Sequence, residues 1–126
     1  MILVDSDVLI AHLRGHPGAR QWLLDARRSG RLSMSVLSST EIIGGMRSPE
    51  RHEVSGLLAS MQPLSTTDTI ARRAGQLRRT YRRSHASIGT VDYVIAATAA
   101  VHGLELATLN TKHFPMIPDL RPPFDL

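Results

Sequence analysis

The stretch from residue 91 to residue 114 reads VDYVIAATAAVHGLELATLNTKHF, and it joins a helix signal to a strand signal. Its first half is apolar on nearly all sides, which predicts a central helix with Thr90 as its cap. Gly103 is placed to end that helix. Leu104–Thr108 then reads as a buried strand followed by polar residues. A helix that leads directly into a strand is typical of an α/β protein.

The rest of the chain repeats this alternation of strand and helix. Short strands are predicted at Met1–Asp5, Leu32–Val36 and 62–65. Helices are predicted at Asp7–Leu13, at Ala19–Arg28, after a capping box formed by Ser38 and Glu41, and at Thr67–Arg83. Arg51–Met61 is amphipathic, and core packing is favoured over a partner contact for its apolar stripe. We therefore predict one domain over residues 1–126, with a mainly parallel sheet.

Composition excludes several classes of protein. A chain of 126 residues with 42% hydrophobic residues suits one globular domain and not a disordered chain. There is no cysteine, so disulfides and thiolate metal sites are excluded, and a reducing cytoplasm is the expected location. No apolar run is long enough to span a membrane, and acids precede any Lys or Arg at the N-terminus, unlike in a signal peptide.

The charge of the chain points to an anionic partner. The formal net charge is +4, and Lys112 is the only lysine among 15 basic residues. Arginine pairs with phosphate through a planar fork, so the excess suits a nucleic acid. The helix predicted at Thr67–Arg83 carries six of these arginines outside its apolar stripe. They are expected either to contact an RNA backbone or to form a solvated face, and a GC-rich genome would also explain the surplus.

Acidic residues fall where the predicted strands end. Asp5 ends the first strand, Asn110 follows the Leu104–Thr108 strand, and Glu41 and Asp92 lie in the first turns of predicted helices. In a parallel sheet these positions share one edge, where function collects. Each acid alone also fits a helix cap or a helix dipole. Together, converging carboxylates without an adjacent Lys or Arg require a compensating cation.

The residue types narrow the choice of cation. Oxygen ligands favour Mg²⁺, with Mn²⁺ as a second candidate, over Zn²⁺. The six histidines are scattered without metal-binding spacing, so we interpret them as non-ligands. Mg²⁺ held by a few carboxylates commonly serves phosphate chemistry.

Three segments, VDSDVLIAHL, SSTEIIGGM and VDYVIAATAAVHGLELATLNTKHF, resemble the PIN-domain ribonucleases, and most closely the VapC toxins of bacterial toxin–antitoxin pairs. The resemblance covers nearly the whole chain in the right order. It implies a three-layer α/β/α sandwich and a Mg²⁺-dependent endoribonuclease. It also implies an RNA substrate, a small cognate antitoxin and a homodimer.

The resemblance assigns roles to individual residues. The family's three acids match Asp5, Glu41 and Asp92, which are the expected metal ligands. These three and Asn110 are the expected catalytic residues. The family's fourth position, often Asp, is Asn110 here, which adds no charge and leaves a second metal position open. Asp7 stands where the family usually has Asn or Ser. It is expected either to cap the first helix or to restore part of the missing charge.

Three other functions compete with this interpretation. A structure-specific DNA nuclease could use the same acids, and a catalytically silent RNA-binding module would explain the lost charge at Asn110. A receiver-like signalling domain is disfavoured because positions 45–64 offer no Asp as a phosphate acceptor.

Overall fold

The computed structural model describes residues 1–126 as four short strands and six helices. The strands are β1 (Ile2–Val4), β2 (Ser33–Ser35), β3 (Gln62–Leu64) and β4 (Glu105–Ala107). The helices are α1 (Ser6–Leu13), α2 (Pro17–Arg28), α3 (Val36–Gly45), α4 (Arg51–Ala59), α5 (Asp68–Tyr81) and α6 (Thr90–His102). Two 3-10 turns, Ser48–Glu50 and Thr111–His113, complete the chain. The predicted alternation of strand and helix is confirmed.

All four strands are parallel, in the order β3-β2-β1-β4. β1 lies between β2 and β4, with Leu3 opposite Ser33 on one side and Leu106 on the other. The carboxyl ends of the strands therefore meet at one edge of the sheet. That edge places Asp5, which follows β1, beside Thr108, which follows β4.

Successive residues of β1 pack on opposite faces of the sheet, as the strand period requires. Val4 belongs to a core cluster formed with helices α1 to α4, whereas Leu3 packs against α6. A third cluster joins α5 to α6 through Ile70, Ala74 and Tyr93. Helices thus cover both faces of the sheet, which confirms the three-layer α/β/α architecture.

Both predicted apolar stripes lie in the core. Val54, Leu57 and Met61 are buried in the cluster that α4 shares with the sheet. In α5 the stripe residues Ile70 and Ala74 are buried against α6. Gly103 ends α6 in the left-handed conformation, with φ of 64°, as predicted.

Helix starts are the main corrections to the predicted elements. α3 begins at Val36 and is capped by Ser35, whose side chain accepts a hydrogen bond from the amide of Leu37 at 3.1 Å. The predicted capping box of Ser38 and Glu41 is therefore wrong, because both residues lie inside the helix. Elsewhere α1 and α2 begin earlier than predicted, at Ser6 and Pro17, and the cap of α6 is Gly89, not Thr90.

None of the six helices combines the length and the apolar character that crossing a bilayer requires.

Candidate active site

Asp5 stands at the centre of the polar edge of the sheet. Its backbone amide continues the β1–β4 ladder by donating to the carbonyl of Ala107 at 2.9 Å. Its side chain caps α1, with Oδ1 accepting from the amide of Ser6 at 2.8 Å and Oδ2 accepting from the Thr108 hydroxyl at 2.9 Å. Only 7% of Asp5 is exposed. Asp5 therefore both caps α1 and contributes a carboxylate to the candidate site.

Thr108 links the acids that follow β1. Its fully buried hydroxyl lies 2.9 Å from Asp5 Oδ2 and 3.2 Å from Asp7 Oδ2, so its single proton is shared between the two. Asp7 Oδ2 also accepts from the amide of Leu109 at 3.0 Å. The suggestion that Asp7 caps α1 is wrong, because Asp5 holds that position. Asp7 instead ties α1 to the segment that follows β4.

Glu41 reaches the site from α3. Its Oε1 accepts a hydrogen bond from the Ser6 hydroxyl at 3.2 Å, and Ser6 in turn donates its amide to Asp5. Since α3 begins at Val36, Glu41 lies in the second turn of the helix and not in the first. The residue is exposed, so its carboxylate faces the solvent side of the site.

Asp92 and Asn110 meet through His113. Asp92 is in the first turn of α6, as predicted, and its Oδ2 accepts from the amide of Gly89 at 3.2 Å. The same oxygen lies 3.1 Å from Nδ1 of His113, and the side-chain amide of Asn110 lies 2.8 Å from that nitrogen. A carboxylate cannot donate, so a proton on Nδ1 is the assignment that makes the contact with Asp92 attractive. The Asn110 side chain then bonds the same N–H only when its amide oxygen, and not its nitrogen, faces the ring.

His113 is the site residue that sequence reasoning missed. In the sequence the histidines are weighed only against a metal-binding role and interpreted as non-ligands, which leaves out a role as hydrogen-bond partner. The available signal was a different one: His113 lies three residues after Asn110, within one 3-10 turn, where side chains three apart lie on one side.

A continuous chain of polar contacts joins all four predicted site residues. It runs from Glu41 through Ser6 to Asp5 and Thr108. From there the backbone amide of Asn110 donates to the Thr108 hydroxyl at 3.1 Å. The side chain of Asn110 contacts His113, and His113 in turn contacts Asp92. The four residues come from four separate segments, so the fold alone brings them together.

The electrostatics of the site are dominated by buried carboxylates. Burial, and after it the neighbouring charges of Asp7 and Glu41, raise the pKa of Asp5 to about 7, against the hydrogen bonds from Thr108 and Ser6, which lower it. Burial also raises the pKa of Asp7. Oδ1 of Asp7 is buried and has no hydrogen-bond partner. No three His, Asp or Glu side chains converge closely enough to form a complete metal cage by themselves.

A parallel sheet with acidic residues at its carboxyl edge is the arrangement expected of a PIN domain, and comparison with known proteins supports this class. The model of the PIN domain matches residues 2–119, and the chain belongs to the PIN-domain family. Within that family it is a VapC-type ribonuclease, which confirms the resemblance seen in the sequence.

The relatives support this placement along the whole chain. Ribonuclease VapC10 of Mycobacterium tuberculosis is 62% identical over 124 residues, which cover 98% of this chain and 93% of that protein. Ribonuclease VapC19 of the same species is 40% identical over 125 residues, covering 98% and 100%. A toxin–antitoxin complex from Klebsiella pneumoniae has a chain that superposes with a TM-score of 0.82 at 27% identity, with 100% of both chains covered.

Proposed function

We propose that this chain is a Mg²⁺-dependent endoribonuclease and the toxin of a toxin–antitoxin pair. The observation that carries the proposal is the single polar network that joins Asp5, Glu41, Asp92 and Asn110 at the carboxyl edge of the sheet. This is where open α/β sheets place their ligands.

The donor set of the site fits a hard divalent cation. The pKa of Asp5 is raised by burial and by two neighbouring carboxylates, and a cation among them would offset that repulsion. Asp7 offers an unpartnered buried oxygen nearby. Mg²⁺ takes one or two carboxylates and keeps several waters, so it does not need a complete protein cage. Mn²⁺ has the same ligand preference and is expected to substitute.

The residues divide the work as follows. Asp5 and Asp92 would hold the cation together with water molecules, and Glu41 would bind it directly or through water. Thr108 and Ser6 orient Asp5 by hydrogen bonds, and Asn110 contributes a neutral amide that can bind a water or a substrate oxygen. When bound, Mg²⁺ would activate water and offset charge on the phosphodiester. The expected products carry a 5′-phosphate and a 3′-hydroxyl, as the family resemblance implies.

The proposal includes the partners of a toxin. The Klebsiella pneumoniae neighbour is part of a toxin–antitoxin complex, and a small cognate antitoxin that blocks the acidic site is proposed here by analogy. A homodimer is proposed from the family resemblance alone, and a cytoplasmic place of action is proposed with it.

Cleavage of matched RNA and DNA tests the proposal. The purified chain, freed of antitoxin, is incubated with total cellular RNA or with DNA in Mg²⁺, Mn²⁺ or EDTA. Cleavage of RNA that needs the metal is the expected result. Preferential cleavage of DNA would make the protein a DNA nuclease. RNA binding without cleavage under any metal would make it a silent binding module.

A further inference from the structure

A hollow lined by arginine lies on the surface of α5, and it shares no residue with the acidic network. It has a volume of about 360 Å³, and it is lined by Gly75, Arg78, Arg79 and Arg82 with no apolar residue. These residues are spaced i, i+3, i+4 and i+7, which places them on one face of the helix. The hollow is therefore a local feature of one helix and does not depend on how distant segments meet.

The three guanidinium groups around the hollow have no carboxylate partner. On α5 only Arg72 forms an ion pair, with Asp68 at 2.8 Å, and that pair lies outside the hollow. Arg78, Arg79 and Arg82 are all exposed. Three unneutralised positive groups in one concavity repel one another, and a ligand with several negative charges would relieve that repulsion.

Gly75 gives the hollow its floor. Glycine is the poorest residue for a helix interior apart from proline, yet it stands in the middle of this 14-residue helix. Packing does not require it, because a Cβ added at Gly75 would meet no atom within 4 Å. Its conformation does not require it either, since its φ is helical. The missing side chain instead lets a ligand approach the helix backbone between the arginines.

The position of the hollow relates it to the acidic site. α5 packs against α6, and the two helices are joined by the short connection of residues 82–89. The C-terminal end of α5, with Arg78, Arg79 and Arg82, therefore lies at the same end of the helix pair as the first turn of α6, which carries Asp92. Tyr81 and Ile88 pack with Tyr93 at this end. A polymer bound at Asp92 can continue along α5.

We propose that this hollow binds phosphate groups of the RNA backbone beyond the bond that is cleaved. The inference rests on the proposed ribonuclease function, and it names a second contact region for the same substrate. RNA is favoured over an acidic protein segment because its phosphates recur at every nucleotide, which matches closely spaced arginines without carboxylates between them. Such a site contacts the phosphates of the RNA backbone and does not distinguish between bases.

The first experiment changes charge. Binding of a fluorescent single-stranded RNA is measured against salt concentration in an Asp5→Asn background, which prevents cleavage. The triple variant Arg78→Ala, Arg79→Ala, Arg82→Ala should bind at least about tenfold more weakly at low salt, and the slope of log affinity against log salt should fall by about 2. The matched control removes three exposed arginines elsewhere, Arg28, Arg51 and Arg73, and its slope should change far less.

Those control positions are chosen by geometry. Arg28 and Arg51 lie on α2 and α4, which pack on the other face of the sheet. Arg73 is on α5, but it is nine residues before Arg82, about two and a half turns, and so it points to the opposite side of the helix. Equal losses in both triple variants would mean that only net charge matters, and would overturn the proposal.

The second experiment changes shape and keeps every charge. Gly75→Leu fills the hollow and improves the helix, so thermal stability should rise while RNA binding weakens severalfold. Gly56→Leu in α4 is the matched control, since a Cβ there also meets no atom within 4 Å. It should raise stability without affecting RNA binding. Unchanged RNA affinity in Gly75→Leu would exclude phosphate contact with the floor of the hollow.

The outcomes separate this inference from the proposed function. If the wild-type protein cleaves RNA and the hollow variants bind RNA like wild type, the inference fails alone. If wild type neither binds nor cleaves RNA, the proposed function fails, and the inference fails with it. If the hollow variants keep RNA binding but lose binding of the cognate antitoxin, the surface belongs to the protein partner, and the RNA proposal is overturned.

Discussion

At the scale of single residues, the account depends on the unusual environment of Asp5. A carboxylate that is 7% exposed and next to two other acids resists ionisation, and its pKa is raised to about 7. The residue remains acceptable to the fold because its oxygens accept from Ser6 and Thr108. A merely structural cap would not need two further carboxylates beside it.

The raised pKa of Asp5 predicts how the stability of the metal-free protein depends on pH. The unfolded chain releases this proton near the ordinary value of 3.8, whereas the folded chain keeps it until about 7. Between these values the folded state binds more protons, so the free energy of unfolding should fall as pH rises. Urea unfolding in EDTA at several pH values measures this effect.

Asp5→Asn supplies the control for that experiment. An amide does not titrate, so the fall in stability across this pH range should be smaller in the variant than in wild type. An identical pH dependence in the two proteins would show that Asp5 ionises normally.

His113 gives a second prediction at this scale. It contacts both Asp92 and Asn110, so its loss should leave both side chains less fixed. Groups that orient metal ligands typically affect metal affinity or activity by 10–100-fold, and we expect His113→Ala to lower RNA cleavage by about this factor. His102→Ala, at an exposed position late in α6, should cleave like wild type. Full activity in His113→Ala would remove this residue from the site.

At the scale of elements, α5 shows what a strong local pattern can do. Its apolar stripe predicted the helix and its buried face, and both are confirmed. The helix start is stabilised by Thr67, whose hydroxyl accepts from the amide of Ile70 at 3.2 Å.

Removing that cap should weaken the protein without affecting its chemistry. Thr67→Ala is expected to lower the free energy of unfolding by about 1 kcal/mol. Thr69 is exposed and is the second residue of the helix. Thr69→Ala removes a hydroxyl of the same kind without removing a cap, so it should be neutral or slightly stabilising. Urea denaturation of the two variants measures the difference, and equal stabilities would contradict the capping role.

Element boundaries were harder to predict than the elements themselves. Ser35 and Ser38 are both suitable caps, and only the extended backbone of Ser35 decides between them, with φ of −70° and ψ of 145°. Ser38 and Glu41 have the spacing of a capping box, but they do not form one. Ser38 is fully buried inside α3, so tertiary packing and not this local pattern sets the start of the helix. The same kind of ambiguity explains why the sequence predicts Thr90 as the cap of α6, whereas the structure has Gly89 there.

At the scale of the whole molecule, the site is made by long-range contacts that no local pattern encodes. Asp5 and Thr108 are separated by 103 positions yet share a hydrogen bond, because β1 and β4 are neighbours in the sheet. The sequence placed Asp5, Asp92 and Asn110 correctly near strand ends or a helix start. It could not give the strand order, the role of Asp7, or the contact of His113 with Asp92, since each depends on packing.

The metal-dependent site is the central claim, and RNA cleavage by wild type and Asp5→Asn in Mg²⁺ and in EDTA tests it most directly. Wild type should cleave total RNA only with Mg²⁺. Asp5→Asn should lose more than about 100-fold of that activity, since even groups that only orient ligands cost up to this factor. A parallel thermal melt shows whether the variant is folded. Undiminished cleavage in EDTA, or full activity in folded Asp5→Asn, would contradict the account.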